Sequence, residues 1–250
     1  MSKNLTRLYC DTDLRKIYKS GVDYALTKEH RHYLIDVMRC TVGDQINLLD
    51  GKSGEYQSEI SFISKNEVRL RIYSFLKSLV YPADLWLLFS PIKKSRTELI
   101  IEKCVELGVK KIFPVKTDYT NIHNLSSDRL RKIMINSAQQ CGSTWLPELN
   151  NLGVLAEVLN TWKTERLLIF CDEKLEGQPM KEVLISLKSK PIAILVGPEG
   201  GFSTKEVHLL NSKSFVRKVS LGPQILRAET AVVAAVSIWQ SICGNWARNK

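Results

Sequence analysis

The chain has 250 residues, 44% hydrophobic and 25% charged, with 36 Lys and Arg against 26 Asp and Glu, a net charge of +10. Ordinary apolar content without low-complexity tracts excludes a disordered chain, and no apolar run approaches the roughly 18–20 residues of a membrane span. The charge does not choose a fold, but it favours a polyanionic partner.

Residues 1–7 lack the apolar core of a signal peptide. Cys10, Cys40, Cys104, Cys141, Cys171 and Cys243 are scattered, with no C-x-x-C pair and no close Cys/His cluster. Buried reduced thiols, no metal and a cytoplasmic location are therefore expected.

Up to about residue 75 the chain reads as a small β-rich unit. Leu26 to Arg39 carries a short helical pattern, with Thr27 as N-cap and Leu34, Val37 and Met38 on one face. Asp44 to Leu49 reads as a strand, followed by the turn Asp50-Gly51-Lys52-Ser53-Gly54. Tyr56 to Ile63 alternates imperfectly, and after Lys65-Asn66 the stretch Val68 to Tyr73 alternates apolar with basic residues. Strands joined by short turns suggest a compact barrel. Lys77 to Pro82 reads as a linker.

From about residue 83 strands alternate with helices. Leu85 to Phe89 is an apolar run of strand length; Thr97 is placed to cap a helix ending at Leu107, with Gly108 as its left-handed terminator. Ile112 to Val115 makes a strand, and Ser127 or Asp128 opens a helix through Gln140. Leu167 to Cys171, Ile192 to Val196 and Val216 to Leu221 are further strands, and a long helix follows Arg227. Apolar strands between helices indicate an α/β fold with a parallel sheet covered on both faces. Residues 1–75 hold 12 basic and 10 acidic side chains, and residues 76–250 hold 24 and 16. Most of the excess, +8, thus falls in the second part. Its runs include Lys93-Lys94-Ser95-Arg96, Lys110-Lys111 and Arg129-Leu130-Arg131-Lys132. Each alone reads as a solvated face, and together they raise nucleic-acid binding.

Two loops carry the chemistry. Gly197-Pro198-Glu199-Gly200-Gly201-Phe202 follows an apolar strand and leads into a helix that Ser203 and Glu206 can open as a capping box. Strand-to-helix loops at the carboxyl edge of a parallel sheet are where such folds bind ligands, and the glycines let a ligand approach bare backbone. Neither a Walker A nor a G-x-G-x-x-G pattern is present. The second loop, Leu221-Gly222-Pro223-Gln224-Ile225-Leu226-Arg227, also joins a strand to a helix and can cradle a flat ring. Arg227 and Glu229 add a cation and a carboxylate at the helix start, at a spacing where they do not face each other.

Gly197-Pro198-Glu199-Gly200-Gly201-Phe202 followed by Leu221-Gly222-Pro223-x-Ile225-Leu226-Arg227-x-Glu229-Thr230-Ala231 resembles the RsmE family of 16S ribosomal RNA uridine-N3 methyltransferases, of the SPOUT class. The resemblance extends through Lys94-x-Arg96-x-Glu98, Lys103-x-x-Glu106-Leu107-Gly108-Val109, Gln140-Cys141-Gly142, His32, Arg39 and Gly43-Asp44. It implies a PUA-like RNA-binding β-barrel over residues 1–75. Residues 76–250 would form a SPOUT methyltransferase domain whose C-terminal segment threads a trefoil knot, a topology that periodicity does not suggest. It further implies S-adenosylmethionine held by Phe170, Gly197, Pro198, Glu199, Gly200, Gly201, Leu221, Gly222, Ile225, Leu226 and Thr230, and a homodimer acting on 16S ribosomal RNA or the small subunit. The chain departs from the family pattern at Ser143-Thr144-Trp145, where an arginine is usual, and at Asp118-Tyr119, where Glu-Arg is common.

N3 of uracil is not nucleophilic until its imino proton leaves, and methyl transfer then needs in-line approach at roughly 3–3.5 Å. Arg227 is the candidate for stabilising the uracil anion. Glu229 and Glu199 are candidates for accepting the proton or for orienting hydrogen bonds. Arg7, Arg39, Lys93, Lys94 and Arg96 are candidates for holding RNA. His30, His32, His123 and His208 do not cluster in sequence. Two alternatives stand beside this reading: a non-catalytic RNA-binding ribosome assembly factor, and methylation of another RNA position or a ribose 2′-hydroxyl. Phosphoester hydrolysis is the weaker rival, because no carboxylate cluster for metals is evident.

Overall fold

A computed structural model describes residues 6–122, 124–174, 176–187 and 190–247; His123 and residues 1–5 lie outside them. The chain forms two compact units, one from residues up to 81 together with 138–146, the other from 82–137 and 147 onward.

The first unit is a five-stranded sheet with β1 (Thr6–Tyr9), β2 (Tyr24–Ala25), β3 (Gln45–Leu49), β4 (Gly54–Ile63) and β5 (Val68–Ser78) in the order β1-β3-β4-β5-β2. β1 runs parallel to β3; the other pairs are antiparallel. Helix α1 (Leu14–Ser20) is capped by Asp13, whose side chain accepts from Arg15 N. The alternation in β5 sorts as expected: Val68, Leu70 and Ile72 are buried, while Arg69, Arg71 and Tyr73 face solvent. The turn between β3 and β4 is organised by Asp50. Its buried carboxylate accepts from the backbone N–H groups of Leu14 (3.0 Å), Lys52 (2.9 Å), Ser53 (2.7 Å) and Gly54 (3.2 Å), and from the Ser53 hydroxyl. Burial pushes this carboxyl's pKa up, but these hydrogen bonds outweigh it and hold the group below its usual value. Gly54 has φ +132°, and a Cβ there would overlap the Lys77 carbonyl.

The pattern over Leu26 to Arg39 resolves differently from a single helix. Thr27 does cap α2 (Lys28–Arg31), accepting from His30 N at 3.2 Å, but His32–Val37 is π-helical. Met38 N donates to Tyr33 O at 2.9 Å. The widened i→i+5 turn cancels the spacing that placed three side chains on one face: Leu34 is buried, whereas Val37 is 57% and Met38 45% exposed. Arg39 ends the turn at φ +56°. The stretch from Lys77 is strand as far as Ser78. Residues 138–146 then complete this unit: Gln139 Oε1 accepts from Tyr9 N (2.9 Å), Gly142 O from Lys77 Nζ (2.7 Å) and Thr144 Oγ1 from Val80 N (2.9 Å).

The second unit holds α3 (Lys94–Glu106), α4 (Ser127–Cys141, whose last residues belong to the first unit), α5 (Leu155–Asn160), α6 (Met180–Ser186), α7 (Thr204–Asn211) and α8 (Ala228–Ile242). Its strands are β6 (Leu85–Phe89), β7 (Lys111–Lys116), β8 (Glu148–Leu149), β9 (Gly153–Val154), β10 (Leu167–Cys171), β11 (Gln178–Pro179), β12 (Ile192–Val196) and β13 (Val216–Ser220). They lie in the order β11-β13-β10-β12-β6-β7-β8, with β9 on β7, and every pairing is parallel. The α/β expectation is met because β12 is buried throughout and β6 and β10 in all but one position each, with helices filling the connections. Helix α3 begins at Lys94 and not at Thr97. Thr97 sits one turn inside, its buried hydroxyl donating to Ile92 O (2.8 Å) and accepting from Ile92 N (3.0 Å). Gly108 ends the helix at φ +70°. Among the described residues no helix is long and apolar enough to cross a membrane. Parallel pairing of β7, β6, β12, β10 and β13 brings their carboxyl ends, and the loops that follow, to one edge of the sheet.

Candidate active site

The loop after β12 is built on glycine and phenylalanine. A Cβ on Gly197 would lie 2.5 Å from the Phe202 ring, which is buried edge-on against Phe170 at 5.0 Å. Phe170 is itself fully buried, so its side chain props the loop from beneath. Gly201, at φ +69°, donates to Pro198 O at 2.9 Å, and a Cβ there would overlap the Glu173 carboxylate. Glu173 Oε1 in turn accepts from Phe202 N at 3.3 Å. Pro198 is buried, while Glu199 and Gly200 are exposed at the tip. The expected capping box is formed: Ser203 accepts from Glu206 N and Glu206 from Ser203 N.

The loop after β13 is more open. Gly222 has φ +136° and open space where a Cβ would point; its N–H donates to Ser220 Oγ (3.2 Å), which donates to Gly222 O (3.1 Å). Leu221 and Gly222 line a cavity of about 430 Å³ together with Gly177, Pro179, Met180, Lys181, Ser220, Pro223 and Ile238. Ile225 is 77% exposed, Leu226 half-buried and Thr230 exposed. Arg227, the exposed N-cap position of α8, makes no side-chain cap bond.

Charges link the first loop to the start of α8. Arg96 on α3 pairs through Nη1 with Glu199 of the first loop, and its Nε lies 3.6 Å from Oε1 of Glu229 on α8. The Glu229 side chain is only 13% exposed, and its Oε2 is buried without a hydrogen-bond partner. Arg96, expected among the RNA-holding residues, thus bridges both candidate proton acceptors, while Lys93 and Lys94 beside it are exposed. In the first unit Arg7 is committed to Glu55 at 2.9 Å, whereas Arg39 is exposed. Glu55 gathers Asn47, Lys77 and Arg7; burial pushes its pKa up, and these three partners bring it below the usual value.

Two long-range pairings carried no signal in the sequence. Asp172, just past β10, has one buried oxygen paired with Lys218 at 3.0 Å and the other, Oδ1, without a partner. Burial pulls Lys218 down, but its bonds to Glu176 and Asp172 prevail and raise its pKa. The second is at the turn after β7, where Asp118 joins the first loop: Ser203 Oγ donates to Asp118 Oδ2 (2.5 Å), and Asp118 N to Glu206 Oε1 (2.9 Å). Both pairings link residues far apart in the chain, which periodicity cannot register. His30 and His32 lie in the first unit, where burial lowers the pKa of His30 and His32 Nδ1 lies 2.8 Å from Asp36. Among the described residues no three His, Cys, Asp or Glu side chains gather as a metal site.

Comparison with known proteins matches residues 80–240 to the family described as RNA methyltransferase domain, and residues 26–73 to the RNA methyltransferase PUA domain. Ribosomal RNA small subunit methyltransferase E of Rickettsia conorii is 31% identical over 92% of this chain and 93% of its own. The protein of the same name from Bacillus subtilis is 27% identical over 86% and 88%. A Legionella pneumophila structure, described as a methyltransferase in complex with S-adenosylmethionine, superposes with a TM-score of 0.85. Its identity is 27%, covering 97% of this chain and 100% of that one. The ribosomal RNA small subunit methyltransferase E structure from Neisseria gonorrhoeae shares the fold, at a TM-score of 0.84 and 24% identity over 97% and 100%. With both parts matched and relatives aligned over nearly its whole length, this chain belongs to the ribosomal RNA small subunit methyltransferase E family of RNA methyltransferases.

Proposed function

We propose that this protein uses S-adenosylmethionine to methylate N3 of a specific uridine in 16S ribosomal RNA, acting as a cytoplasmic homodimer. The observation that carries the reading is the Arg96 bridge. It ties Glu199 of the first glycine loop and Glu229 in the first turn of α8 into one cluster and leaves a buried carboxylate oxygen with no partner.

The loops suit the cofactor. Gly222 offers open approach to bare backbone beside the 430 Å³ cavity, while Gly197 and Gly201 are closed from behind by Phe202 and Glu173. Leu221, Gly222, Ile225, Leu226 and Thr230 would hold it on one side, and Gly197, Pro198, Glu199, Gly200 and Gly201 on the other. When bound, S-adenosylmethionine supplies an electrophilic methyl group on a sulfonium sulfur.

This chain's own residues prepare the nucleophile. The Glu229 carboxylate is the acceptor of the imino proton from N3, with Arg96 fixing it through Oε1. Arg227, which takes no side-chain partner among the described residues, supports the anionic charge that spreads to O2 and O4. Glu199, exposed and already paired with Arg96, serves orientation. Lys93, Lys94 and Arg39 meet phosphates, and the remaining exposed edge of Arg7 does the same. The C-terminal trefoil knot would involve the segment from β12 to α8, where β12 and β13 flank β10 in the sheet.

Calorimetry with the purified protein should give one S-adenosylmethionine per subunit. Label from the methyl donor should then appear in 3-methyluridine after nucleoside digestion of small subunits. RNA affinity without cofactor binding would convert the reading to an assembly factor, and label in a 2′-O-methyl nucleoside would move the acceptor atom.

A further inference from the structure

We infer that Tyr119 is a stacking platform for a nucleobase of the RNA substrate, placed against the Gly197–Ser203 loop; the inference deepens the RNA methyltransferase reading above and rests on it. Tyr119 lies in the turn that follows β7, at the sheet edge where the two glycine loops emerge. A Cβ on Gly200 would sit 3.3 Å from Tyr119 Cβ and 3.6 Å from Cγ and Cδ2, so the root of the ring rests on the glycine backbone next to Glu199. Yet Tyr119 is 52% exposed. Its hydroxyl has no hydrogen-bond partner among the described residues, so neither core packing nor a polar anchor accounts for the ring.

The backbone beneath it is, by contrast, held firmly. Thr117 N donates to Thr120 Oγ1 (2.9 Å), Thr120 N to Thr117 O (3.0 Å), and the two threonine hydroxyls share a bond of 2.7 Å. Asp118 is bound at both its N–H and its carboxylate, to Glu206 and Ser203. A rigid turn presenting an exposed tyrosine gives aromatic contact area at low entropic cost. Every nucleobase has a π-face, and unpaired bases are recognised by stacking on such rings. A uridine modified at its Watson–Crick edge must leave its pair, and that exposes both it and its neighbour to a platform beside the reacting atoms. The chemistry fits a flat, unpaired base and not a phosphate, since the group presented carries no charge.

The test uses the full-length protein with Tyr119→Phe and Tyr119→Ala, and a single-stranded RNA dodecamer containing 2-aminopurine as probe. Wild type and Tyr119→Phe should bind alike and quench the fluorophore. Tyr119→Ala should lose the quenching and bind about 5- to 150-fold more weakly, the range typical of one lost base–aromatic stack. Its KM for small subunits in methyl transfer should rise in step, with unchanged calorimetric affinity for S-adenosylmethionine reporting an intact fold. Equal quenching and affinity in Tyr119→Ala, or RNA bound by wild type without quenching, overturns the platform. A wild-type protein that binds neither S-adenosylmethionine nor RNA overturns the functional reading instead.

Discussion

Arg96 Nε lies 3.6 Å from Oε1 of Glu229, 133 residues further along the chain, while the same guanidinium pairs with Glu199. A planar fork with five donors can serve two carboxylates at once, which an ammonium on a flexible stem does less well. Arg96 is therefore a positioning residue. Arg96→Lys should lower kcat about tenfold and Arg96→Ala about a hundredfold, in the range of a misplaced general base. Single-turnover methyl transfer measures this, and the pH–rate profile should shift in both variants. A profile that stays unmoved would assign Arg96 a structural role alone.

Glu229 supplies the buried oxygen that has no partner. Glu229→Gln keeps the shape and removes the proton acceptor, so kcat should fall about a hundredfold or more with little change in cofactor affinity. Glu199→Gln, at the exposed tip, should fall less. The reverse ranking in rapid-quench assays would exchange their roles.

Gly200 belongs to the loop proposed to hold the cofactor and packs against Tyr119. Gly200→Val adds a Cβ at 3.3 Å from Tyr119 Cβ and branches beyond it. Cofactor binding should disappear in calorimetry, while thermal unfolding moves by only about 1–3 kcal/mol, the usual cost of overpacking. Retained affinity would mean that the loop has been given the wrong ligand.

Much of this architecture is legible in the amino-acid sequence. The runs Leu85–Phe89, Leu167–Cys171 and Ile192–Val196 are strands because a parallel sheet covered on both faces tolerates few polar residues in them. The Ser203–Glu206 capping box is local chemistry and forms as read. What escaped depends on distant partners. The basic run Lys93-Lys94-Ser95-Arg96 looks uniform in sequence, yet Arg96 alone turns inward, because its acceptors arrive from a loop and a helix start over 100 residues away. Residues 138–146 pack with the first unit through hydrogen bonds to Tyr9, Lys77 and Val80, and no periodicity announces such a crossing. The π-helical turn at His32–Val37 defeats a reading based on a 3.6-residue period.

Asp50 makes the first unit sensitive to acid. Its pKa is depressed when folded, so its contribution is present above the unfolded value of about 3.9 and is lost as pH falls through the lower folded value. Urea unfolding between pH 7 and pH 3 should show a drop below about pH 4 that Asp50→Asn reduces. Asp50→Ala should cost about 2–4 kcal/mol at pH 7, since several buried N–H groups lose their acceptor. An acid limb identical in wild type and Asp50→Asn would remove Asp50 from this role.

Lys93 and Lys94 stand exposed beside the Arg96 cluster. If they meet RNA phosphates, Lys93→Ala and Lys94→Ala should each weaken RNA binding at every sequence tested. Each should also reduce the slope of log K against log salt by about one. Cofactor affinity should not move. Unchanged salt slopes in filter-binding assays would place the phosphates elsewhere.

Nucleoside mass spectrometry of 16S ribosomal RNA from a strain lacking this protein tests the central claim most directly. The account predicts that 3-methyluridine disappears, returns when the wild-type chain is supplied, and fails to return with Glu229→Gln. A deletion strain whose 3-methyluridine is unchanged would contradict it.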